Sequence, residues 1–461
     1  MSWQKTKISE FLTERKDRFK PDKANELGLP RIEKIDFSGT IYINNFKPTK
    51  TGMILVKNGD LVISGINVEK GALAIYKGNT DALATIHYSS YTYDENKIDI
   101  DFLKWYLQSN IFRNILKEQV KGGIKTEIKP KTFLNLEIML PDLTTQKKIA
   151  SKLNKLEWNV KDLDFTCFCN KELIDKLRQS ILQEAIQGKL VPQNPNDEPA
   201  SELLKRIKAE KEDLIKDKKL KRDKKDYQIL KHDNGKYYEK IGNVLKNITE
   251  QIPYSIPYNW QWVKIRNISF VTKLAGFEYT KYMRLTDKGD VPVIRAQNVK
   301  SAKLDLTNLK YINSDTSTLL ERSSLNKECL LMTFIGAGIG DIAIFNMNKR
   351  FHLAPNVAKI EIYNKYENID NKYIMYYLLS KTGKKEIFKF LKATAQPSLS
   401  MDTIREIYVP IPPLAEQKRI VAKVDELMQL CEELEKENNN AQKASSELLQ
   451  SIMQKYFTPE V

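Results

Sequence analysis

Cysteine and histidine are scarce in this sequence, which limits the chemistry that it can support. The 461 residues include four cysteines and three histidines. Four cysteines in a chain of this length do not form the disulfide framework of a small secreted domain. The pair Cys167 and Cys169 has no second cysteine pair and no nearby histidine, and the histidines are scattered at His87, His232 and His352. We therefore predict no metal site, and structural or surface roles for the histidines.

Long apolar segments are also missing. The amino-terminal residues MSWQKTKISEF have no apolar core like that of a signal peptide, and no segment supplies the roughly 20 apolar residues of a membrane span. The nearest approach, 329–345, contains three glycines and Asp341, which is typical of a buried hairpin. From this we expect a cytoplasmic protein.

Motifs that would indicate catalysis are absent as well. Gly336, Gly338 and Gly340 follow an apolar strand, but a second strand-like run comes after them, whereas a phosphate-binding loop must open a helix. The segment 194–197, Asn-Pro-Asn-Asp, lacks the second proline and the aromatic residue with which amino-methyltransferases hold a flipped base. No Gly-x-x-x-x-Gly-Lys sequence occurs. We predict a hairpin turn at the glycines and no catalytic residue.

Positive charge is what the chain has in excess. Its 75 Lys and Arg residues and 59 Asp and Glu residues give a formal net charge of +16 and a pI near 9.3. A surface of this sign favours a polyanion, with nucleic acid as the first candidate partner and an acidic membrane surface as the second. A compositional bias toward lysine is the alternative explanation.

The clearest positive feature is an internal repeat. The stretch PDLTTQKKIASKL, which begins at Pro141, returns 271 positions later at Pro412 as PPLAEQKRIVAKV. The offset persists without a gap as far as 180–183, which matches 451–454. A gapless match of this length indicates a duplicated structural unit.

Both copies of the repeat carry a heptad pattern. Its positions in the first copy are Ile149, Leu153, Leu156, Val160, Leu163, Cys167, Asn170, Ile174, Leu177 and Ile181. The matching positions in the second copy are Ile420, Val424, Leu427, Cys431, Leu434, Asn438, Ala441, Ser445, Leu448 and Ile452. Such spacing places one narrow apolar stripe along each helix, and each stripe needs a partner. We predict that the two helices pair with each other, antiparallel because that arrangement needs the least connecting chain.

The segments that precede the two helices, 1–140 and 256–411, resemble each other more weakly. Trp3-Gln-Lys near the start of one is echoed by Trp260-Gln-Trp near the start of the other. Each segment contains several short runs typical of strands, bounded by Gly and Asn turns. The predicted fold class is α+β, with an internal pseudo-twofold repeat of a head and a long helix.

Each head is also predicted to contain one helix before the motif, near 99–120 or 370–391. The second head carries about a dozen extra residues between Ile265 and Lys327, so the two heads need not recognise the same ligand. Between the first long helix and the second head, 191–255 reads as a charged linker. Its stretch 201–226 has 11 basic and 7 acidic side chains, which fits either a basic arm on phosphates or a solvated helix or linker.

Two tandem α+β segments, each ending in a Pro-x-Leu-x-x-Gln-Lys-[KR]-Ile motif that opens a long heptad helix, resemble the specificity subunit of type I restriction-modification enzymes. The matching sequences are 412–420, PPLAEQKRI, with support from 180–190, SILQEAIQGKL, from 196–201, NDEPAS, and from 257–263, PYNWQWV. The resemblance covers nearly the whole chain. The first copy departs from the motif at Asp142 and Thr145, and we expect weaker helix capping there.

The resemblance implies an organisation and a set of partners. Target-recognition domains at 1–140 and 256–411 would each read one half of a bipartite double-stranded DNA site. The long helices, 141–190 and 412–457, joined through the linker 191–255, would fix the unread spacer and hold two modification subunits. Those subunits would bind S-adenosylmethionine and methylate adenine, while two restriction subunits would use ATP and Mg. This chain would carry no cofactor and no catalytic residue.

Two sets of candidate residues follow. The DNA-binding set comes from the loops that precede each motif and from a cluster in the second head, and comprises Lys121, Lys125, Lys129, Arg295, Gln297, Asn298, Lys392, Gln396 and Ser398. The set for helix pairing and partner docking comprises Gln146, Lys147, Ile149, Leu153, Leu156, Gln417, Lys418, Ile420, Val424 and Leu427. Gly, Thr, Ser and basic residues suit close approach to phosphate, but an ordinary helix-to-strand turn has the same composition, and Asn298 could only cap a turn.

Two other classes of protein stay open at this point. One is an enzyme, a stand-alone methyltransferase or nuclease with an unrecognised site in one head, which activity of the chain alone would reveal. The other is a coiled-coil assembly protein whose charge is incidental. DNA binding that weakens steeply with salt would exclude the second class.

Overall fold

The α+β fold class predicted from the sequence is confirmed. The computed structural model describes residues 3–44, 48–120, 127–222, 227–365, 367–389, 391 and 398–458. The helices in these residues are α1 (Pro21–Glu26), α2 (Ile100–Gln108), α3 (Asn110–Gln119), α4 (Pro130–Leu134), α5 (Leu143–Ile186), α6 (Ala200–Lys216), α7 (Ile265–Ile268), α8 (Gly276–Tyr282), α9 (Ser314–Leu319), α10 (Asn371–Leu379), α11 (Lys381–Phe388), α12 (Met401–Arg405) and α13 (Leu414–Phe457).

The strands of the same residues fall into two series. Those before α5 are β1 (Gln4–Lys7), β2 (Leu12–Glu14), β3 (Arg18–Phe19), β4 (Arg31–Ile35), β5 (Ile41–Asn44), β6 (Met53–Val56), β7 (Leu61–Ser64), β8 (Leu73–Ile75), β9 (Ala82–Thr85), β10 (Tyr88–Tyr93) and β11 (Glu137–Leu140). Those after α6 are β12 (Tyr227–Lys231), β13 (Tyr237–Ile241), β14 (Val244–Asn247), β15 (Gln261–Lys264), β16 (Ser269–Lys273), β17 (Val291–Ile294), β18 (Val299–Lys300), β19 (Lys303–Leu304), β20 (Lys310–Ile312), β21 (Ser324–Leu325), β22 (Cys329–Thr333), β23 (Ile342–Phe345), β24 (Phe351–Leu353), β25 (Val357–Ile362) and β26 (Tyr408–Ile411).

The chain divides into two compact units. The first unit contains Met1–Asn170 and Lys436–Val461, and the second contains Lys171–Glu435. The start of α5 and the end of α13 belong to the first unit, while the remainder of both helices belongs to the second. The division therefore falls within the two long helices and not within the charged segment between them.

Two sheets and a helical layer make up the first unit. One sheet has the strand order β2-β10-β7-β8 and the other β3-β6-β9-β4-β5, while β1 and β11 form a separate pair. Phe102 and Tyr106 of α2, Leu153 of α5 and Phe457 of α13 lie in one hydrophobic core. The ring of Phe457 lies edge-on to Phe102 and Tyr106, with centroids 5.5 and 5.3 Å apart. The end of the second long helix thus closes the core of the first head.

The second unit repeats this plan with different sheets. Its strand orders are β16-β25-β22-β23 and β20-β17-β24-β21, and β15 pairs with β26. One hydrophobic core joins Trp262 of β15, Tyr373 of α10, and Ile420 and Val424 of α13. The long helix is therefore part of the core of the head that precedes it, as in the first unit.

The weak sequence similarity between the heads, at Trp3 and Trp260, lies beside an equivalent pair of strands in each unit. In the first unit β1 runs antiparallel to β11, with Gln4 opposite Leu140. In the second unit β15 runs antiparallel to β26, with Gln261 opposite Ile411. Leu140 and Ile411 immediately precede the two copies of the motif, so each motif begins where this strand pair ends. The predicted duplication is confirmed in the fold.

The single helix predicted before each motif is wrong in detail, because it is two helices in both heads. Ser109 and Ser380 have extended backbones that separate α2 from α3 and α10 from α11. The hydroxyl of Ser109 accepts a hydrogen bond from the amide of Phe112, and that of Ser380 accepts one from the amide of Gly383. Serine at such a position caps the next helix, but serine also occurs within helices, so composition did not reveal the break.

The segment 191–255, expected to be a charged linker, contains ordered structure. Ala200, Leu203 and Ile207 of α6 are buried against the core of the second unit. Strands β12, β13 and β14 form an antiparallel sheet, and Tyr237 of β13 reaches the same core. The three apolar positions of α6 are three and four residues apart, which is a narrow helical stripe that the many charges around it concealed.

The hairpin predicted at the glycines is confirmed. Strands β22 and β23 pair antiparallel, with Met332 opposite Ile342. Gly336 and Gly340, in the turn between them, have φ values of 109° and 85°, which residues other than glycine rarely adopt. The glycine-rich sequence therefore makes a turn and does not open a helix.

Within the described ranges, no helix has the length and apolarity that crossing a membrane would require. Over the same ranges, no group of three or more His, Cys, Asp and Glu side chains is arranged to hold a metal ion. The four cysteines are free thiols.

Candidate nucleic-acid interface and helix junctions

The first long helix begins at a well-formed cap. Asp142 accepts hydrogen bonds from the amide and the hydroxyl of Thr145, at 2.9 and 2.7 Å. The hydroxyl bond, followed by the amide bond, holds the pKa of Asp142 below its usual value. Aspartate is among the preferred capping residues. The expectation of weaker capping in the first copy is therefore wrong.

The glutamine of the motif joins the first long helix to its head. Gln146 is buried, and its Nε2 donates to the carbonyl of Pro141 at 3.0 Å and to that of Lys97 at 3.3 Å. Its Oε1 accepts from the amide of Asp99 at 2.8 Å. Asp99 is the N-terminal cap of α2, so one side chain connects the first turns of α2 and α5.

The second copy makes the same connection 271 positions later. Gln417 is buried, donates from Nε2 to the carbonyl of Pro412 at 3.0 Å, and accepts at Oε1 from the amide of Asp370 at 2.9 Å. Asp370 is the N-terminal cap of α10. The glutamine of the motif therefore has a structural role, because it satisfies backbone groups that are buried or partly buried at the junction.

We expect Gln417→Leu to lower the free energy of unfolding of the second unit by about 2–3 kcal/mol, because it leaves the partly buried Asp370 amide and the buried Pro412 carbonyl without partners. Gln146→Leu should have the same effect in the first unit. Urea unfolding followed by circular dichroism measures both. The exposed neighbour provides a control, since Lys418→Gln should change stability by less than about 0.5 kcal/mol. Equal midpoints for Gln417→Leu and the unchanged chain would contradict this role.

A second contact at each junction occupies equivalent positions but uses different chemistry. In the first unit Asn154 accepts from the indole of Trp105 at 2.8 Å and donates to Asp101 at 3.1 Å. In the second unit the equivalent residue, Asp425, accepts from the hydroxyl of Tyr376 and from Lys372. Burial, followed by the hydrogen bond to Asp425, raises the pKa of Tyr376 and keeps its hydroxyl a donor. Each head is thus matched to its own long helix.

The long helices pair antiparallel in both units, as predicted. In the first unit the thiol of Cys167 lies 3.6 Å from the carbonyl of Asn438, whose Nδ2 donates to the carbonyl of Cys167 at 2.9 Å. These two residues occupy equivalent positions of the repeat, and self-equivalent contacts are typical of a local twofold axis. In the second unit Arg178 of α5 binds Glu435 of α13 at 2.7 Å.

The heptad stripe is not buried along its whole length. Leu177, Leu434 and Leu448 occupy heptad positions but are 46%, 49% and 57% exposed. Next to the Cys167 contact, Asn170 donates to Asn438 at 3.2 Å, which is a polar contact within the stripe. Apolar burial is therefore concentrated where the helices meet the heads.

The residues predicted for helix pairing and docking divide by exposure. Six are buried in the two units, namely Gln146, Ile149, Leu153, Gln417, Ile420 and Val424. Leu156 and Leu427 are partly buried and pack on the same cores. Lys147 and Lys418 are exposed, so of this set the two lysines have the freest side chains for contact with a partner.

The sequence pattern missed three exposed aromatic side chains on α5. Trp158 and Phe165 are each 67% exposed, and Phe168 is 61% exposed. Their spacing of seven and three residues puts them on one face of the helix. The equivalent positions of the second copy hold polar residues, namely Gln429, Lys436 and Asn439. We call the three aromatic residues the aromatic face of α5. Heptad spacing indicates the residues that face the partner helix, so it does not single out these three.

In the first head, the predicted DNA-binding residues Lys121 and Lys125 lie outside the described residues. Lys129, the third of this loop, is exposed and is the residue before α4. The loop rejoins the head where the amide of Ile128 donates to the carbonyl of Gly65 at 2.9 Å. Lys129 therefore stands on a fixed part of the head.

In the second head, Lys392 and Gln396 also lie outside the described residues. Ser398 is exposed and pairs with Ile335 in an isolated bridge. The amide of Leu399 donates to the carbonyl of Phe334 at 3.0 Å. Leu399 is the equivalent of Ile128 in the repeat, so the two loops end on equivalent hydrogen bonds.

The cluster Arg295-Ala-Gln-Asn298 forms a turn. Asn298 is 1% exposed, accepts from the amide of Arg295 at 3.0 Å and donates to the carbonyl of Asp305 at 2.8 Å. Its side chain is buried and bonded at both its oxygen and its nitrogen, so we withdraw Asn298 from the DNA-binding set. Arg295 donates to the carbonyl of Asn308 at 2.6 Å, while Gln297 is exposed. DNA contact by Arg295 and Gln297 stays a prediction.

Known proteins resemble this chain over most of its length. Residues 257–443 match the family model of the type I restriction modification DNA specificity domain. The EcoAI specificity subunit of Escherichia coli is 26% identical over 457 residues, which covers 88% of this chain and 73% of that subunit. The EcoEI specificity subunit of E. coli is 26% identical over 332 residues, which covers 69% of this chain but only 50% of that subunit.

A solved chain from a study of complex assembly and conformational transition of the type I R-M system has the same fold. It superposes with a TM-score of 0.66 and 14% identity, covering 100% of this chain and 98% of that chain. The repeated head and helix, the family match and these relatives agree with one another. The chain is similar to the specificity subunits of type I restriction-modification systems, and its residues 257–443 match the DNA specificity domain of that family.

Proposed function

We propose that this chain recognises DNA for a type I restriction-modification complex and that it reads a bipartite target, one half with each head. The observation that carries the proposal is the repeated junction, in which Gln146 and Gln417 attach each head to its helix with equivalent hydrogen bonds. The heads are thus two copies of one structural unit, and they differ in the strand order of their sheets and in their length. Two different heads on one chain suit a target made of two different half-sites.

Attraction to DNA follows from the charge of the chain. A net charge of +16 favours binding to phosphates, and this part of the affinity carries no sequence information. Specificity would then come from a few side chains of each head that reach base edges. Lys129, Gln297 and Ser398, which are exposed, are the described candidates.

The same proposal assigns no catalytic role to this chain. Two modification subunits would bind S-adenosylmethionine and methylate adenine, and two restriction subunits would use ATP and Mg to cut DNA. These reactions act on DNA inside the cell, which would place the complex in the cytoplasm. This chain would recognise the DNA target and hold the other subunits in place.

The long helices would be the scaffold that holds the modification subunits. Exposed aromatic residues are common anchors of protein interfaces, and the aromatic face of α5 offers three of them. The exposed heptad leucines Leu177, Leu434 and Leu448 add apolar surface on the helices. Lys147 and Lys418 stand near the start of each helix and could contact the same partners.

Methylome sequencing of cells with and without the gene tests the recognition proposal directly. We expect methylated adenines that depend on the gene and lie in a motif of two short specified halves around an unspecified spacer. A variant in which one head is exchanged for that of a relative should change one half of the motif and keep the other. A gene-dependent motif without any spacer would contradict the proposal.

The purified chain distinguishes the two other classes of protein. Methyl transfer or cleavage by the chain alone would make it an enzyme and would contradict a purely recognising role. A coiled-coil assembly protein, by contrast, would not show DNA binding that falls steeply with salt.

A further inference from the structure

A cavity of about 550 Å³ in the second unit has a strongly basic lining. Seven of the side chains that line it are Lys or Arg, and a single one, Asp402, is acidic. Its walls come from the chain just after α6, from β16 and from α12. We call this cavity the basic cleft. None of its residues is in the predicted DNA-binding set, although four of its basic residues lie in the stretch 201–226, for which a basic arm on phosphates was one of two interpretations.

The end of α6 directs two lysines into the basic cleft. Lys218 adopts a φ of 58°, a left-handed conformation that turns the chain back on itself at the end of the helix. The amides of Lys219 and Leu220 then donate to the carbonyl of Leu214, at 2.9 and 3.1 Å. Leu220 packs on the hydrophobic core, while Lys219 and Lys221 are exposed and line the cleft. The lysines are thus held on a fixed turn.

The opposite wall is an edge strand held by arginines. Strand β16 pairs with β25 on one side only, and Arg405 donates to its Val271 carbonyl at 2.7 Å. Arg266 binds Glu406 at 2.5 Å, and Arg322 binds Glu278 at 3.0 Å. These ion pairs fix the positions of the arginines, and neither Glu406 nor Glu278 lines the cleft.

Little negative charge faces the basic cleft. Asp402 pairs with Arg405 at 2.8 Å, and Lys219 pairs with Asp217 at 3.2 Å, where the Asp217 side chain is 57% exposed. Arg222 pairs with Glu212, which does not line the cleft. Lys221 makes no ion pair with any residue of the described ranges. The cleft therefore has an excess of positive charge that an anion can neutralise.

We propose that the basic cleft binds phosphates of the DNA backbone. The proposal rests on the function proposed above and extends the DNA contact of the second head to residues 219–222, which follow α6. The lysines are exposed and the cleft is much larger than one phosphate group, which fits a continuous backbone better than a single small anion. Arginine and lysine contacts to phosphate position a protein on the duplex without reading its sequence.

The salt dependence of DNA binding by the full-length chain tests this assignment. For B-DNA each lost phosphate contact lowers the slope of log affinity against log salt by about 0.9. We expect Lys219→Gln/Lys221→Gln to lower the slope by between about one and two, and to weaken binding of an arbitrary 30-base-pair duplex about tenfold or more at 0.1 M salt. The methylated motif in cells should stay the same, because the contacts carry no sequence information.

A matched control and a folding check accompany the variant. Lys240→Gln/Lys246→Gln removes two exposed lysines of β13 and β14 that do not line the cleft, and it should leave the slope unchanged. Both variants should keep the thermal unfolding midpoint of the unchanged chain, because all four side chains are exposed. A control that lowers the slope as much as the cleft variant would overturn the assignment, since only total charge would then matter.

The outcomes separate this inference from the proposed function. If the unchanged chain does not bind DNA, the proposed function fails. If it binds and the cleft variant has an unchanged slope, only the cleft assignment fails. Calorimetry with inorganic pyrophosphate identifies the source of the phosphate. If the cleft variant loses pyrophosphate binding but keeps the salt slope of DNA binding, the cleft binds a free anion and not DNA. Loss of a partner subunit with an unchanged slope would assign it to an acidic protein surface.

Discussion

Replacing Lys264 with methionine is expected to lower the free energy of unfolding of the second unit by about 3–5 kcal/mol. Its ammonium group lies 2.5 Å from Glu239 and 2.6 Å from Glu406. The side chains of Lys264 and Glu239 are 6% and 7% exposed, so removing the cation leaves a buried carboxylate without a counter-charge. Glu239 lies on β13, so the pair joins the sheet of 191–255 to the second head.

Urea unfolding together with hydrogen exchange of β12 and β13 measures this effect. The double variant Lys264→Met/Glu239→Leu should recover much of the loss, because it removes both members of the buried pair. Lys240→Met, on an exposed neighbour of Glu239, should change stability by less than about 0.5 kcal/mol. If Lys264→Met unfolds at the same urea concentration as the unchanged chain, the pair does not hold the sheet on the head.

The second large effect concerns the aromatic face of α5. The variant Trp158→Gln/Phe165→Lys/Phe168→Asn gives the first copy the residues that the second copy has at equivalent positions. We expect it to fold normally, since all three rings are more than 60% exposed. Anchors of this kind contribute about 2 kcal/mol or more each, so affinity for one modification subunit should fall about 1000-fold or more.

Native mass spectrometry of the co-expressed complex counts the subunits. The unchanged chain should carry two modification subunits and the triple variant one. The matched control, Gln429→Ala/Lys436→Ala/Asn439→Ala, alters the polar counterpart in the second copy and should retain two. A triple variant that still carries two modification subunits would show that the aromatic face is not an anchor.

Much of the architecture could be predicted from local pattern. The duplication was evident from the constant offset between Pro141 and Pro412, and the heptad spacing predicted a pair of long helices. These features are local in the sequence, because a helix repeats every 3.6 residues and a duplicated unit repeats its motif. The buried role of Gln146 and Gln417 was not evident, since glutamine is usually an exposed residue.

The errors arose where a residue type permits two structures. Ser109 and Ser380 could continue a helix or cap a new one, and the hydrogen bonds of the folded chain favoured capping. The charges of 191–255 concealed three apolar residues of α6, which are buried only because the core of the second unit offers a surface. Asn298 could read a base or hold a turn, and its two internal hydrogen bonds decided for the turn.

The repeat was therefore determined by the sequence alone, because it depends on spacing along the chain. The constant offset of 271 predicted two heads and two matched helices before any contact was known. Contacts between distant positions were decided by the tertiary structure. Lys219, Arg322 and Arg405 line one cleft although they are far apart in the chain, and Lys264 meets Glu239 in the core. Spacing along a chain determines helices and repeats, but packing determines which charges share a surface.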